Sequence, residues 1–319
     1  MLDAQHDKPR DFVQDDSDNN VYSWGSIGDH NVVLTSLAAG VYGTVSAAVT
    51  AQQLLSSFPH IRIGLMVGIG AALPSLNGEH DIRLGDIVVS QPDGQNGGVV
   101  QYDLGKAMDG GQFERRGMLN MPPQVLLKAL SKLQAHHEFN VSRVPDYLAQ
   151  MLEKNPLMAK SMPGRSSYRH PGRKHDRLFK PTYTHVSGLR DCSNCNEKEQ
   201  VYREVRESEQ PAIFYGTIAS GDTLCKDAVT RDLIANRLGG MCICLEMEAA
   251  GLMNNFPCIV IRGICDYADS HKNDLWQRYA AATAAAYAKE FLGIIPSSQL
   301  DRSPTALSVI RVRSAQLDH

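Results

Sequence analysis

Along this chain nearly unbroken apolar runs alternate with stretches of helical periodicity. "IRIGLMVGIG" (61–70), "AIFYGTIAS" (212–220), "MCICLE" (241–246) and "CIVIRGIC" (258–265) have the pattern of strands buried on both faces. Between and after them, "YGTVSAAVTAQQLLSSF", "KDAVTRDLIANRLG" and "WQRYAAATAAAYAKEFLG" place small and apolar residues at helical spacing. A further strand, "IRLGDIVVSQP", stops at a proline, and residues 121–139 predict a helix entered through Pro122-Pro123. Near the start, two β-rich runs flank Gly28-Asp29, which predicts a hairpin. Strands that alternate with helices and read as continuous apolar runs predict an α/β fold: a mostly parallel sheet covered on both faces.

The pattern also divides the chain. Residues 1–20 are acidic, polar and aperiodic, so a poorly ordered lead-in is expected there. One domain is expected over 21–295. Within it, about 144–210 turns rich in Pro, Arg, His, Lys and Glu and is expected to be an irregular insertion. The polar stretch 296–319 predicts a loose tail, and no internal repeat is present.

Composition narrows the function classes. With 319 residues, 43% of them apolar, the chain has material for a packed core. A formal net charge of −3 gives no global attraction to nucleic acid. The start lacks a basic and apolar leader, and the longest apolar run is too short and glycine-rich for a membrane span of about 20 residues. Seven cysteines scattered through strand-like segments suit reduced thiols better than a disulfide framework, so a cytoplasmic or nuclear protein is expected.

The candidate chemistry lies where strands end. In open α/β sheets ligands bind beyond the carboxyl ends of strands, where loops converge and helix N-termini offer free N–H groups. Here the strand at 61–67 runs into Gly68-Ile69-Gly70, read as a glycine-rich turn reaching Ala71. The next ends in Ser220-Gly221-Asp222, another in Glu246-Met247-Glu248, and the last at Asp266. Each acid alone suits a helix cap. As a set they suggest a polar ligand, because an ionised carboxylate accepts both hydrogen bonds of a vicinal diol such as ribose. Glu246 and Glu248, two apart, face one way on an extended segment, and Met247 faces the other.

The segments "EMEAAG", "RGICDYAD" and "IASGD", with "VYGTVSAAVTAQQLL", "VGIGAAL" and "DIRLGDIVVS", resemble the purine and uridine phosphorylase family, which includes nucleosidases. The likeness covers most of residues 21–139 and 212–292, and within the family it runs to fungal nucleoside phosphorylase-like domains. It implies a three-layer α/β/α fold with a mixed, mostly parallel central sheet, and cleavage of the N-glycosidic bond of a purine nucleoside. Glu246, Met247 and Glu248 would hold the ribose, with Glu248 on its 2′ and 3′ hydroxyls. Ser220, Gly221, Asp222, Leu224 and Cys225 would line the base, and Asp266 would act as the acid facing it. No metal or organic cofactor is implied, and a homo-oligomer is. Bond cleavage builds oxocarbenium character on the sugar and negative charge on the leaving base, so a positioned acid lowers the barrier.

The resemblance leaves two departures. Met66 and Ile69 stand where the family places its phosphate-binding arginine and serine, and neither donates a hydrogen bond. The glycine segment Gly68, Ile69, Gly70 and Ala71 would offer an acceptor only backbone N–H groups, so water is favoured over phosphate. The family also opens with a strand and loop ahead of the hairpin, and "MLDAQHDKPRDF" resembles the segment that follows the family's first helix, so the first strand and its acid are expected to be missing. A phosphate-dependent phosphorylase and a catalytically impaired sensor or interaction domain are the alternatives.

Other motifs carry less. "DCSNCN" holds a CxxC pair, Cys192 and Cys195, with His170, His175 and His185 nearby; a structural zinc site needs four ligands, and free loop thiols are the simpler reading. "VGIGAALP" matches neither GxGxxG nor a P-loop. Tyr102 reads as an edge-strand tyrosine rather than a substrate contact. The basic segment "GRSSYRHPGRKHDRLFK" reads as a solvated insertion rather than a nucleic-acid surface.

Overall fold

A computed structural model of the chain describes residues 1–75, 80–186 and 191–317. The expected hairpin is present: β2 (Ser23–Ile27) and β3 (His30–Leu34) pair antiparallel with Ile27 opposite His30. Gly28 supplies the positive φ of 53° that this two-residue turn requires. The segment expected to be a poorly ordered lead-in instead contributes β1 (Ala4–His6), paired antiparallel with β2. Its anchors are long-range. Phe12 stacks on Phe58 at 4.7 Å and meets Tyr22 and Trp24 edge-on, and Asp3 accepts from the Gly28 N–H at 2.8 Å. Local polarity does not reveal such contacts.

After α1 (Thr44–Ser57) the main sheet assembles from β4 (Gly64–Ala72), β5 (Ile87–Ser90), β6 (Val99–Gln101), β9 (Ile213–Ser220), β10 (Cys242–Glu246) and β11 (Cys258–Asp266). Between β6 and β9 lie the ribbon β7 (Gly105–Ala107) and β8 (Phe113–Arg115), helix α2 (Gln124–His137) and helix α3 (Val144–Lys154). Helices α4 (Ala228–Arg237), α5 (Ala249–Leu252) and α6 (Gln277–Ile294) follow β9, β10 and β11 in turn. The strand order is β10-β4-β11-β5-β9-β6, with a further pairing of β10 to β9. That pairing joins the two sides of the sheet, so β9, β10, β4, β11 and β5 form a closed ring. Four of the six pairings are parallel, and β10–β4 and β11–β5 are antiparallel.

All nine residues of β11 are buried, which explains its uninterrupted apolar run. One core lies between the sheet and α1 and α5; a second lies between the sheet and α2, α3 and α6. The result is a three-layer α/β/α sandwich around a mixed, mostly parallel sheet.

Three segments differ from expectation. Gly68, Ile69, Gly70 and Ala71 form no turn: they continue β4 and pair with Arg262 through Asp266 of β11. Their glycines make room for side chains. A Cβ on Gly68 would sit 2.1 Å from Nη1 of Arg262, and one on Gly70 would sit 2.7 Å from Sγ of Cys244. The insertion begins with the regular helix α3, whose Val144 and Leu148 are buried one turn apart and whose first turn contains Pro145; beyond residue 155 its described residues hold short turns, 3₁₀ segments and isolated bridges up to β9. The tail forms α7 (Ser297–Asp301) and α8 (Ala306–Leu317), pinned where the Ala306 N–H donates to the Ile61 carbonyl at 2.7 Å. Among the described residues, no helix is long and apolar enough to cross a membrane.

Candidate active site

Strand register brings the candidate residues to one region of the ring. Asp266 on β11 lies opposite Ala71 on β4, Ala71 lies opposite Leu245 on β10, and Glu246 lies opposite Ser220 on β9. Asp266 and Leu245 are therefore two strand spacings apart, about 10 Å, on the order of a nucleoside's length. A register shift between Ile264 and Asp266 interrupts the regular alternation of β11 immediately before the acid.

Glu246 is fully engaged by the protein. Its side chain is 0% exposed; one oxygen accepts from the backbone N–H of Glu248 at 3.1 Å and of Ala249 at 3.0 Å, and the same oxygen pairs with Arg262. The residue thus caps the first turn of α5 from within the chain's core. Glu248 also turns to Arg262, with 3.0 Å between its Oε2 and Nη2, but its side chain keeps 14% exposure. The two glutamates converge, as their spacing predicts, and the group they converge on is a guanidinium. Met247 between them is half-buried.

Arg262 is the residue that sequence reasoning underused. It interrupts "CIVIRGIC", and a charge inside a run buried on both faces requires a buried partner. Its Nη1 donates to the Ile69 carbonyl at 3.2 Å, its Nη2 touches the Met66 sulfur at 3.4 Å, and its Nε has no hydrogen-bond partner. Burial works against its charge, yet Glu246 and Glu248 outweigh burial and raise its pKa.

Asp266 has a different partner. One oxygen accepts from the Ala268 N–H at 2.9 Å; the other lies 3.0 Å from Nζ of Lys272 and 3.1 Å from the Cys265 thiol. Nothing in the spacing of "DYADSHK" singles out Lys272, so that pairing was not legible. Burial opposes the ammonium, but Asp266 and its neighbours prevail and the Lys272 pKa is raised. Tyr267 carries the insertion: its hydroxyl accepts from Arg203 at 2.7 Å and donates to Asp176.

The expected base-lining residues separate. The Ser220 hydroxyl accepts from the Ala250 N–H at 2.9 Å, so it braces α5. Gly221 packs against Tyr102 and Asp103, and Tyr102 donates to the Thr223 carbonyl at 3.0 Å. Asp222 accepts from both the N–H and the hydroxyl of Thr44, at 2.7 and 2.9 Å, so it caps α1 from across the chain. Leu224 is 43% exposed. Cys225 is buried, donates to the Ala268 carbonyl at 3.5 Å beside Asp266, and has its thiol pKa raised by burial. A surface cleft of about 270 Å³ is lined by Thr44, Ala48, Gln101, Arg116, Ala250 and Asn254. Neither Glu248 nor Asp266 lines it, and we weigh the convergence of titratable groups above the size of that cleft.

The architecture is that of the nucleoside phosphorylase and nucleosidase superfamily. Over 92% of this chain and 90% of its own, the structure of a 5′-methylthioadenosine/S-adenosylhomocysteine nucleosidase from Neisseria meningitidis, solved with methylthio-immucillin-A, superposes with a TM-score of 0.52 at 16% identity. In sequence, the chain is 44% identical over 312 residues, 98% of its length, to a nucleotide-binding leucine-rich repeat (NLR)-like protein of Hyaloscypha variabilis. It is 24% identical over 284 residues, 86% of its length, to an ATP nucleosidase of Escherichia coli. The chain spans 28% and 45% of those two relatives' lengths. No family model matches.

Proposed function

We propose that the chain cleaves the N-glycosidic bond of a purine nucleoside or nucleotide, with water as the acceptor. The observation that supports this reading is the strand register that sets Asp266 of β11 opposite Ala71 and Ala71 opposite Leu245 of β10, in a ring where Glu248 and Asp266 each have a cation beside them. Glu248, partly exposed, exchanges its Arg262 contact for the ribose 2′ and 3′ hydroxyls, and Met247 packs on the sugar. Glu246 contributes by fixing the α5 turn from which Glu248 projects. Asp266 faces the base, and with the Lys272 ammonium 3.0 Å from one of its oxygens the pair passes a proton to the leaving base as the C–N bond breaks; the proton that the attacking water gives up restores the pair. Cys225 and Leu224 supply the apolar wall.

Water is favoured because Met66 and Ile69, which stand where the resemblance puts the phosphate-binding arginine and serine, donate no hydrogen bond, and the guanidinium against the glycines of β4 stays paired with the buried Glu246. The family resemblance implies a homo-oligomer, and we infer one for this chain. The decisive experiment incubates the protein with adenosine, inosine, guanosine, uridine and ATP, with and without phosphate, and follows free base and the sugar product. Phosphate-independent release of a purine with free ribose or ribose phosphate ester supports the reading. Phosphate-dependent formation of ribose 1-phosphate reverses the choice of acceptor. A second reading, a nucleoside-binding sensor module, draws on the NLR-like relative and on the engagement of both carboxylates by cations; ligand-induced thermal protection without any product selects it.

A further inference from the structure

The CxxC pair acquires neighbours that spacing alone did not select. Ligand atoms of His185, Cys192 and Cys195 lie within 4.8 Å of one another. In a tetrahedral zinc site, sulfur and nitrogen ligands stand roughly 3.5–3.8 Å apart, so shifts of about an ångström in these three side chains bring them onto one ion. Of the other two histidines near the motif, His170 is committed elsewhere, its ring meeting those of Trp276 and Tyr279 edge-on.

The loop is built around these residues. Arg177 donates to the Cys192 carbonyl and, at 3.2 Å, to the Cys195 carbonyl, while the Cys195 N–H closes a turn onto Cys192 at 3.1 Å. Nε2 of His185 lies 2.9 Å from the Asp191 carbonyl. A carbonyl only accepts, so Nε2 carries the proton and Nδ1 keeps its lone pair, the arrangement by which metal-binding histidines are oriented.

A second, independent observation comes from the loop after Asp266. His271 is buried, with its side chain 4% exposed, and neither ring nitrogen has a hydrogen-bond partner. It stacks on Phe179 at 4.0 Å, and its ring centroid lies 5.4 Å from that of His185 at an interplanar angle of 70°. Two imidazoles on one tetrahedral zinc have centroids about 5.2 Å apart. Nδ1 of His271 lies 3.7 Å from Oδ2 of Asp269, which also has no hydrogen-bond partner, so the ring has a nitrogen free to take a metal. Two thiolates and imidazole, with no carboxylate ligand, select zinc over magnesium or calcium.

We propose that Cys192, Cys195 and His185 bind one zinc ion, with His271 as the fourth ligand, and that the ion clamps the insertion onto the loop bearing Asp266 and Lys272. Binding requires both thiols to lose their protons, so two protons leave as two zinc–sulfur bonds form. The existing contact between the His185 N–H and the Ser270 hydroxyl, at 2.9 Å, holds the same two segments in register.

The test uses the full chain purified from zinc-supplemented cells without a metal-affinity tag. Mass-spectrometric metal analysis should give one zinc per chain, and Cys192→Ser and Cys195→Ser should each give less than a tenth of that. His271→Ala should bind at least tenfold more weakly in competition with a chromophoric chelator. Chelation should lower the melting temperature of the unchanged chain and leave that of Cys192→Ser unmoved. Where a serine variant fails to fold, the chelator competition on the unchanged chain still reports the stoichiometry. A metal-free chain with two reactive thiols, a Cys192–Cys195 disulfide in freshly purified protein, or zinc retained in full by both serine variants would overturn the site. Wild-type affinity in His271→Ala would overturn the clamp.

Discussion

Two carboxylate–cation clusters terminate neighbouring parts of the ring, and they are built to opposite ends. At the end of β10, Glu246 and Arg262 are 0% and 4% exposed in their side chains, and the carboxylate accepts from two backbone N–H groups as well as the guanidinium. At the end of β11, Asp266 is equally buried, but its partner Lys272 is 20% exposed and rides on an irregular loop. The first cluster is held by strands on both sides and a helix cap; the second has a cation that reaches solvent. A buried charge held by a guanidinium and two backbone N–H groups supports the architecture, and a buried acid whose partner can move retains capacity for chemistry. Glu248, paired to the first cluster but partly exposed, stands between the two cases.

Breaking the first cluster should produce the largest effect. Arg262→Met leaves Glu246 buried without its cation, and the expected loss is about 3–5 kcal/mol, read from urea unfolding. A loss below about 1 kcal/mol would mean that Glu246 finds other compensation and that the two clusters do not differ in kind. Asp266→Asn sharpens the other side: base release should fall by roughly 10²–10⁴-fold with the fold intact by circular dichroism. Full activity in that variant would remove the acid from the proposed reaction.

Asp222→Ala tests a third carboxylate, which caps α1 and faces neither cluster. It should cost about 1 kcal/mol in stability, chiefly through the lost cap. A much larger fall in substrate affinity than in stability would instead return Asp222 to the base site. The smallest effect concerns pH. The Lys272 pKa is raised above its ordinary 10.5, so its contribution is complete below that value and is lost as pH rises through the folded-state pKa. Lys272→Met should therefore flatten the alkaline decline in unfolding free energy above pH 10.5, by under about 1 kcal/mol. An unchanged alkaline slope would show that the pair carries no stabilising charge interaction.

Much of the sheet was legible because strand burial leaves a local trace. β9, β10 and β11 were expected from their apolar runs, and each lies within a residue or two of the expected bounds. β4 was legible as a strand and misread at its end, because glycine pairs signal turns in most contexts. Here they signal the approach of Arg262 and Cys244, which belong to other strands. Lys272 and Thr44 left no trace, since each meets its acid through loop geometry; Asp222 and Thr44 are 178 positions apart. His271 was equally hidden, for its ring meets that of His185 only because β11 delivers its loop to the insertion.

The sequence by itself determined the alternation of strands and helices, the burial of β11 on both faces and the presence of several acids at strand ends. Those properties depend on the spacing of apolar and polar residues within a dozen positions, which the chain's own periodicity records. Tertiary structure decided which cation each acid meets, whether a glycine turns the chain or admits a neighbour's side chain, and which histidine stands beside the paired cysteines. Such choices depend on strand register and on the ring closed by β9 and β10, where residues far apart in sequence meet at a few ångströms and exclude the water that would otherwise screen them.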